Sequence, residues 1–218
     1  MLVLADLHAD AAGLEAVLTK AAADGWDECL LLGDLVGYGP EPDVLLDMVD
    51  GLSIRAAVRG NHEDMLAQLR RGEAATARPD VTAPLELALT QLSADRLDWL
   101  ERLPDTAVTD GWHAVHAAPR RQEYLISRVL ARQNEAHMQR DLVFFGHTHV
   151  PMVFHKPQGG DWTARPMNRP ENRLRMMPGD RLMINPGSTS RNRDHGGGRS
   201  YATFDSDSGD ILIRRFAS

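Results

Sequence analysis

A single cysteine, Cys29, stands in 218 residues, so no disulfide can form within the chain and a disulfide-stapled secreted domain is excluded. Cys29 lies in the apolar run Cys29-Leu30-Leu31-Leu32, where an inert buried thiol is expected. No apolar stretch approaches the roughly 20 residues a membrane helix requires. The opening Met1-Leu2-Val3-Leu4-Ala5 has no basic residues before it and is too short for a signal-peptide core, so a cytoplasmic protein without membrane contact is expected. Surplus positive charge is missing too. The net charge of −7 argues against a general coat for nucleic acid or membrane. Aromatic residues are only 6%, yet 43% of the chain is apolar and 25% charged, the balance of a globular protein.

Charge is unevenly divided. Residues 156–218 hold ten Arg and one Lys against seven acids, a surplus of four, which leaves −11 on residues 1–155. Such a basic quarter is ordinarily a solvated surface, and alternatively meets an anionic substrate. The first third alternates short apolar runs with helical spacing: strand 2–5, helix 11–23 with Asp10 as its cap, strand 28–32, helix 43–50 and strand 54–58. Residues 63–71 and 85–103 read as helices around a break at Arg78-Pro79. The second half changes to strands at 106–109, 112–116, 142–145, 151–155, 181–184, 200–204 and 211–215, with one helix around 123–139. Residues 156–180, rich in Pro, Arg, Gly and Met, show no period and read as a surface excursion or hairpin. No linker or repeat divides the chain, so one domain over 1–218 with a layered α/β fold is expected.

Five segments carry metal-ligand residue types, each directly after an expected strand: Asp6-Leu7-His8, Gly33-Asp34, Gly60-Asn61-His62-Glu63, His116, and Gly146-His147-Thr148-His149. Strand ends are where open α/β sheets place ligands. In Asp-x-His and His-x-His, residues two apart in extended chain point the same way, so both reach one ion. Gly33, Gly60 and Gly146 are expected to allow the tight turns that aim the next side chain. Other signatures fail. His62-Glu63-Asp64-Met65-Leu66 lacks the second His of a zinc-protease helix. Gly187-Ser188-Thr189-Ser190-Arg191 lacks the closing glycine of a nucleophile elbow, and no phosphate-cradling Walker loop exists.

This ordered set resembles the calcineurin-like metallophosphoesterase family, and within it small bacterial and archaeal phosphodiesterases grouped with diadenosine tetraphosphatases. The segments Gly33-Asp34-Leu35-Val36-Gly37-Tyr38-Gly39-Pro40, Asn185-Pro186-Gly187-Ser188 and Arg199-Ser200-Tyr201-Ala202 are similar to family segments as well. The resemblance implies a four-layer α/β/β/α sandwich. It implies two divalent transition metal ions, one held by Asp6, His8 and His149, the other by Asn61, His116 and His147, with Asp34 bridging both. The imidazole, carboxylate and amide donors suit Mn²⁺ first, or Fe, Zn²⁺ or Ni²⁺. His62 matches the family's catalytic histidine, an acid or charge stabiliser at the leaving oxygen. A water activated between the ions would attack phosphorus. Glu63 is expected to face solvent or to support a neighbour.

His116 is preferred to His113 because Val115-His116-Ala117-Ala118-Pro119-Arg120 resembles a family segment in which Gly stands where this chain has Ala117. Asp10 stands where the family commonly has Asn, and is expected to alter contacts at the rim of the site. Arg191, Arg193 and Arg199 are candidates for contacting a second phosphate or ribose. The expected function is therefore metal-dependent hydrolysis of a small phosphoester or nucleotide, diesters favoured. Nucleic acid as a substrate has no supporting basic stripe. Alternatives are a phosphomonoesterase, a nucleotide pyrophosphatase, or a non-catalytic scaffold on the same fold.

Overall fold

The computed structural model describes residues 1–74 and 77–217. The first half runs β1 Leu2–Leu4, α1 Ala11–Ala21, β2 Cys29–Leu31, α2 Pro42–Asp50, β3 Ile54–Ala57, α3 Asn61–Arg70, α4 Pro79–Gln91 and α5 Ala94–Glu101. The second runs β4 Thr106–Val108, β5 His113–Val115, α6 Arg128–Asn134, β6 Leu142–Phe144, β7 Met152–Lys156, β8 Thr163–Pro166, β9 Glu171–Arg175, β10 Arg181–Asn185, β11 Arg199–Phe204 and β12 Asp210–Phe216.

Two six-stranded sheets result, ordered β3-β2-β1-β11-β12-β9 and β4-β5-β6-β10-β7-β8. Strands β1, β2 and β3 pair in parallel, as do β5, β6 and β10. The period-two alternation of the strands builds the layers. Leu2, Leu4 and Leu31 face a core shared with Leu14 and Val17 of α1, Leu45 and Val49 of α2, Leu66 of α3, Leu85 of α4 and Leu100 of α5. Their neighbours Val3, Ala5, Leu30 and Leu32 face the opposite way, onto Leu142, Phe144, Leu182 and Ile184 of the second sheet. That sheet's outer face, with Val143, Phe145 and Met183, is covered by Ala131 of α6 together with Trp162. The layers are thus helices, sheet, sheet, helix. Each fully buried Leu or Phe in them contributes about 1.5–3 kcal/mol.

Three expectations need correction. Residues 85–103 are two helices, because Leu92 is extended and the Ser93 side chain caps α5 at Arg96 N–H. The first of them starts earlier, at Pro79, whose missing N–H costs nothing in the first turn. The helix around 123–139 shrinks to α6 and a following 3₁₀ turn at Glu135–His137. Residues 156–180 are an excursion that pairs: β8 edges the second sheet beside β7, and β9 edges the first beside β12. The sequence shows no period there because β8 is exposed on both faces.

The C-terminal ends of β1, β2, β3, β5 and β6 all open toward one end of the sandwich, which is how residues 6, 34, 61, 116 and 147 come together.

Candidate metal centre

Asp6, His8, Asp34 and His149, all buried, place one ligand atom each within 4.8 Å of one another. Asp34, His116 and His147 form a second such group, so Asp34 belongs to both. Asn61 adds its Oδ1, 3.1 Å from His116 Nε2. It occupies the first turn of α3, where the His62 N–H donates to Asp34 Oδ1 at 2.9 Å. A helix N-terminus there favours the carboxylate's charge.

The turns that aim these side chains differ from expectation. Gly33 has φ +84°, but five of the ligand candidates, Asp6, His8, Asp34, His147 and His149, are themselves left-handed, at +51° to +67°, as are Ala9 and Tyr38 beside them. Gly60 is extended, and glycine is required there for space: a Cβ would come within 2.2 Å of Asp34 Oδ1.

The hydrogen bonds show what the cluster suits. His8 Nδ1 lies 3.2 Å from Val36 O, and His149 Nδ1 lies 3.0 Å from Arg191 O, so each ring carries its proton on Nδ1. Burial lowers His8 well below its ordinary value and His149 to about 3, so both rings are neutral. Their Nε2 atoms nevertheless face each other at 2.9 Å. Two lone pairs at that distance repel unless a cation shares them, and an imidazole anchored through its other nitrogen to a carbonyl is the usual metal ligand. His116 repeats the pattern, with Nδ1 on Leu32 O at 2.7 Å and Nε2 facing Asn61 Oδ1 and Asp34 Oδ2. Burial, reinforced by Asp34's charge, raises Asp6 to about 8. Against the opposing effect of burial, the charges of Asp34 and Asp6 lift His116 to about 10. Protons on these two groups compete with a cation for the same atoms. The donor set fits divalent cations at both groups.

A model of the calcineurin-like phosphoesterase superfamily domain matches residues 1–209. The chain belongs to that superfamily. A metallophosphoesterase from Sphaerobacter thermophilus is 31% identical, with TM-score 0.81 over 99% of this chain and 87% of that one. A Pyrococcus horikoshii protein, 15% identical with TM-score 0.75 over 100% of this chain and 88% of its own, shares the fold. An uncharacterised protein of Methanocaldococcus jannaschii is 26% identical over 212 residues, 93% of this chain and 81% of its own. Membership in the calcineurin-like superfamily makes the protein a phosphoester hydrolase of a divalent-metal-dependent family.

The remaining expected residues separate. His62 is 3% exposed, its Nε2 3.9 Å from Asp34 Oδ2. Burial lowers its pKa against the pull of Asp34, so the ring is neutral, with one N–H to offer and its Nδ1 without a hydrogen-bond partner. Arg193 reaches the mouth, its guanidinium 5.7 Å from the Tyr38 ring centroid and its Nη2 3.3 Å from the Tyr38 hydroxyl. The Arg191 side chain is exposed, and only its carbonyl meets the cluster. Arg199 is committed elsewhere: its Nη1 lies 2.5 Å from Asp10 Oδ2 and 2.5 Å from Ser190 O. Asp10 caps α1 at Gly13 N–H, as its position predicts, and with Arg199 as partner it braces the loop rather than the rim. His113 points away to Thr106. Cys29 is fully buried, and burial pushes its thiol up to about 12.

Glu63 does not face solvent. It is buried and accepts four backbone N–H bonds, from Asp34, Leu35, Val36 and Gly60. Asn185 likewise holds the loop after β6, donating to Gly146 O and Thr148 Oγ1. Two half-exposed tyrosines stand at the centre beyond the candidate residues of the sequence: Tyr38 beside His8 and His62, and Tyr124 beside His147. The Gly-Tyr-Gly-Pro run signalled the first, and nothing local signalled the second. A groove of about 1240 Å³ lies at the opposite strand ends near Met1, Glu28 and Trp112, where no comparable ligand group converges among the described residues.

Proposed function

We propose that the protein hydrolyses small phosphodiesters with two divalent cations at this centre, Mn²⁺ being the cation expected first and Fe, Zn²⁺ or Ni²⁺ the others its donors suit. The observation that carries the reading is Asp34, whose carboxylate belongs to both ligand groups. Asp6, His8 and His149 would hold one cation, and Asn61, His116 and His147 the other. When bound, the pair supplies Lewis-acid polarisation of the phosphoryl group and an activated water.

The chain's own residues do the rest. Glu63 fixes the Asp34 backbone, so that carboxylate keeps one position while charge develops on phosphorus. His62 presents the N–H of its neutral ring to the leaving oxygen and stabilises the charge of the departing alkoxide by hydrogen bonding. Arg193 supplies positive charge at the mouth without entering the ligand cluster. With Arg199 tied to Asp10, no pair of arginines converges on the ligand groups among the described residues, which supports a monoanionic diester over a monoester.

The experiment compares bis(p-nitrophenyl) phosphate with p-nitrophenyl phosphate on Mn²⁺-loaded protein. Higher kcat/KM on the diester is expected. A clear monoester preference moves the assignment to a phosphatase, and no turnover of either ester supports a scaffold.

A further inference from the structure

Tyr124 lies between β5 and α6, in the segment expected to be helical, and its ring centroid is 4.3 Å from that of His147 with the planes tilted by 37°. One face is therefore set against the second ligand group, while 51% of the side chain is open to solvent. The ring is not on a wandering loop. Asn134, fully buried in α6, accepts the Arg120 N–H at 2.8 Å and donates to Glu123 Oε1 at 3.0 Å. Gln122 reaches across to Asp64 of α3 at 3.1 Å. Leu125, the next residue, is 1% exposed in the outer core. The residues on both sides of Tyr124 are thus fixed, and what they fix is an exposed aromatic ring at the edge of the centre. Among the described residues its hydroxyl makes no hydrogen bond, so the ring rather than the hydroxyl is the feature being presented.

Tyr38, on the other side, is already engaged by His8, His62 and the Arg193 guanidinium. Among the described residues, the aromatic face left open at the centre is that of Tyr124, and Ile126 and Val129, 61% and 59% exposed, extend apolar surface along the same segment.

We propose that Tyr124 is a specificity-determining residue on which the nucleobase of a nucleotide phosphodiester stacks, a proposal that rests on the phosphodiesterase reading above. The phosphoryl group sits at Asp34, one substituent leaves past His62, and the retained nucleoside extends over His147 onto the Tyr124 ring. Any base offers a π-face to such a platform, so it selects nucleotides over alkyl esters with little preference among bases.

The test uses two esters that release the same p-nitrophenolate: thymidine 5′-(p-nitrophenyl) phosphate and methyl p-nitrophenyl phosphate. Tyr124→Ala is expected to lower kcat/KM about 5- to 100-fold on the thymidine ester, mainly through KM, and less than about twofold on the methyl ester. Tyr124→Phe should restore the thymidine ester. Equal losses on both esters, or loss of metal by elemental analysis, would make the ring a support for His147 and overturn the proposal. Calorimetry on Mn²⁺-loaded protein gives a readout without turnover: adenosine 5′-monophosphate should bind more tightly than methyl phosphate, and the difference should vanish in Tyr124→Ala. A difference that persists in the variant, or is absent from the unaltered protein, also overturns it. If neither ester is hydrolysed, the phosphodiesterase reading fails while the calorimetry still decides the platform.

Discussion

Left-handed backbone is concentrated where the chemistry is expected. Asp6, His8, Asp34, His147 and His149 all have positive φ, a conformation that costs a non-glycine residue about 1–3 kcal/mol. The surroundings hold them there: Asp6 N–H donates to Gly33 O, His8 N–H to Asp34 O, and Thr189 N–H to Ala5 O. Gly37 makes room for His62, since a Cβ there would approach its Nδ1 to 2.0 Å. These positions separate ligand from acid by experiment. Asp34→Asn should lower metal content at both groups and abolish turnover. His62→Ala should keep its metal and lose about 10²–10⁴-fold in turnover, less for p-nitrophenolate than for an alkoxide leaving group. Elemental analysis beside kinetics decides. Full metal in Asp34→Asn breaks the shared-ligand model, and equal losses for both leaving groups in His62→Ala remove its role at the leaving oxygen.

At the scale of elements, α3 does more than carry Asn61 and His62. Its third residue, Glu63, ties the helix start at Gly60 to the loop after β2, with each carboxylate oxygen accepting two N–H groups. Glu63→Gln would turn an amide NH₂ toward two of those donors, whichever way it is flipped. Leaving two buried N–H groups unmatched should cost about 2–6 kcal/mol. Urea unfolding is expected to show the loss, with weaker metal binding alongside it, and an unchanged midpoint would mean the loop is held by other contacts. Helix-scale legibility followed burial. Regular apolar spacing marked α1 and α2 well, because one face of each meets the first sheet. It blurred α4 into α5, where apolar residues continue across Leu92, and it overextended α6, whose preceding residues are held by polar side chains that carry no helical period.

Across the whole molecule, distant segments are pinned by charge. Asp24, in the turn after α1, is 3% exposed at its side chain, receives Arg214 of β12 at 2.5 Å and accepts the Tyr201 hydroxyl at 2.6 Å. Burial opposes its ionisation, but these partners outweigh burial and hold its pKa below the ordinary value. A depressed folded pKa means the contribution is fully present above the unfolded value of about 3.9 and is lost as pH falls through the folded one. Asp24→Asn should therefore unfold at lower urea than the unaltered protein at pH 7, and the gap should close as the pH is taken below about 4. A gap independent of pH would show that packing, not ionisation, sets the effect.

The local sequence was enough to determine the strand–helix alternation of the first half and the ordered segments from Asp6 to His149 that bear ligand types. Each depends on nearest neighbours: a short apolar run, a turn, then a polar side chain at the strand end. The pairing of β8 and β9 into different sheets, the commitment of Arg199 to Asp10, the burial of Glu63 under four N–H groups and the placing of Tyr124 against His147 were decided by the tertiary structure alone. The physical reason is common to them. Apart from the local hairpin of β7 and β8, the deciding partners lie 20 or more positions away, and a one-dimensional pattern carries no record of which surfaces two packed sheets bring together.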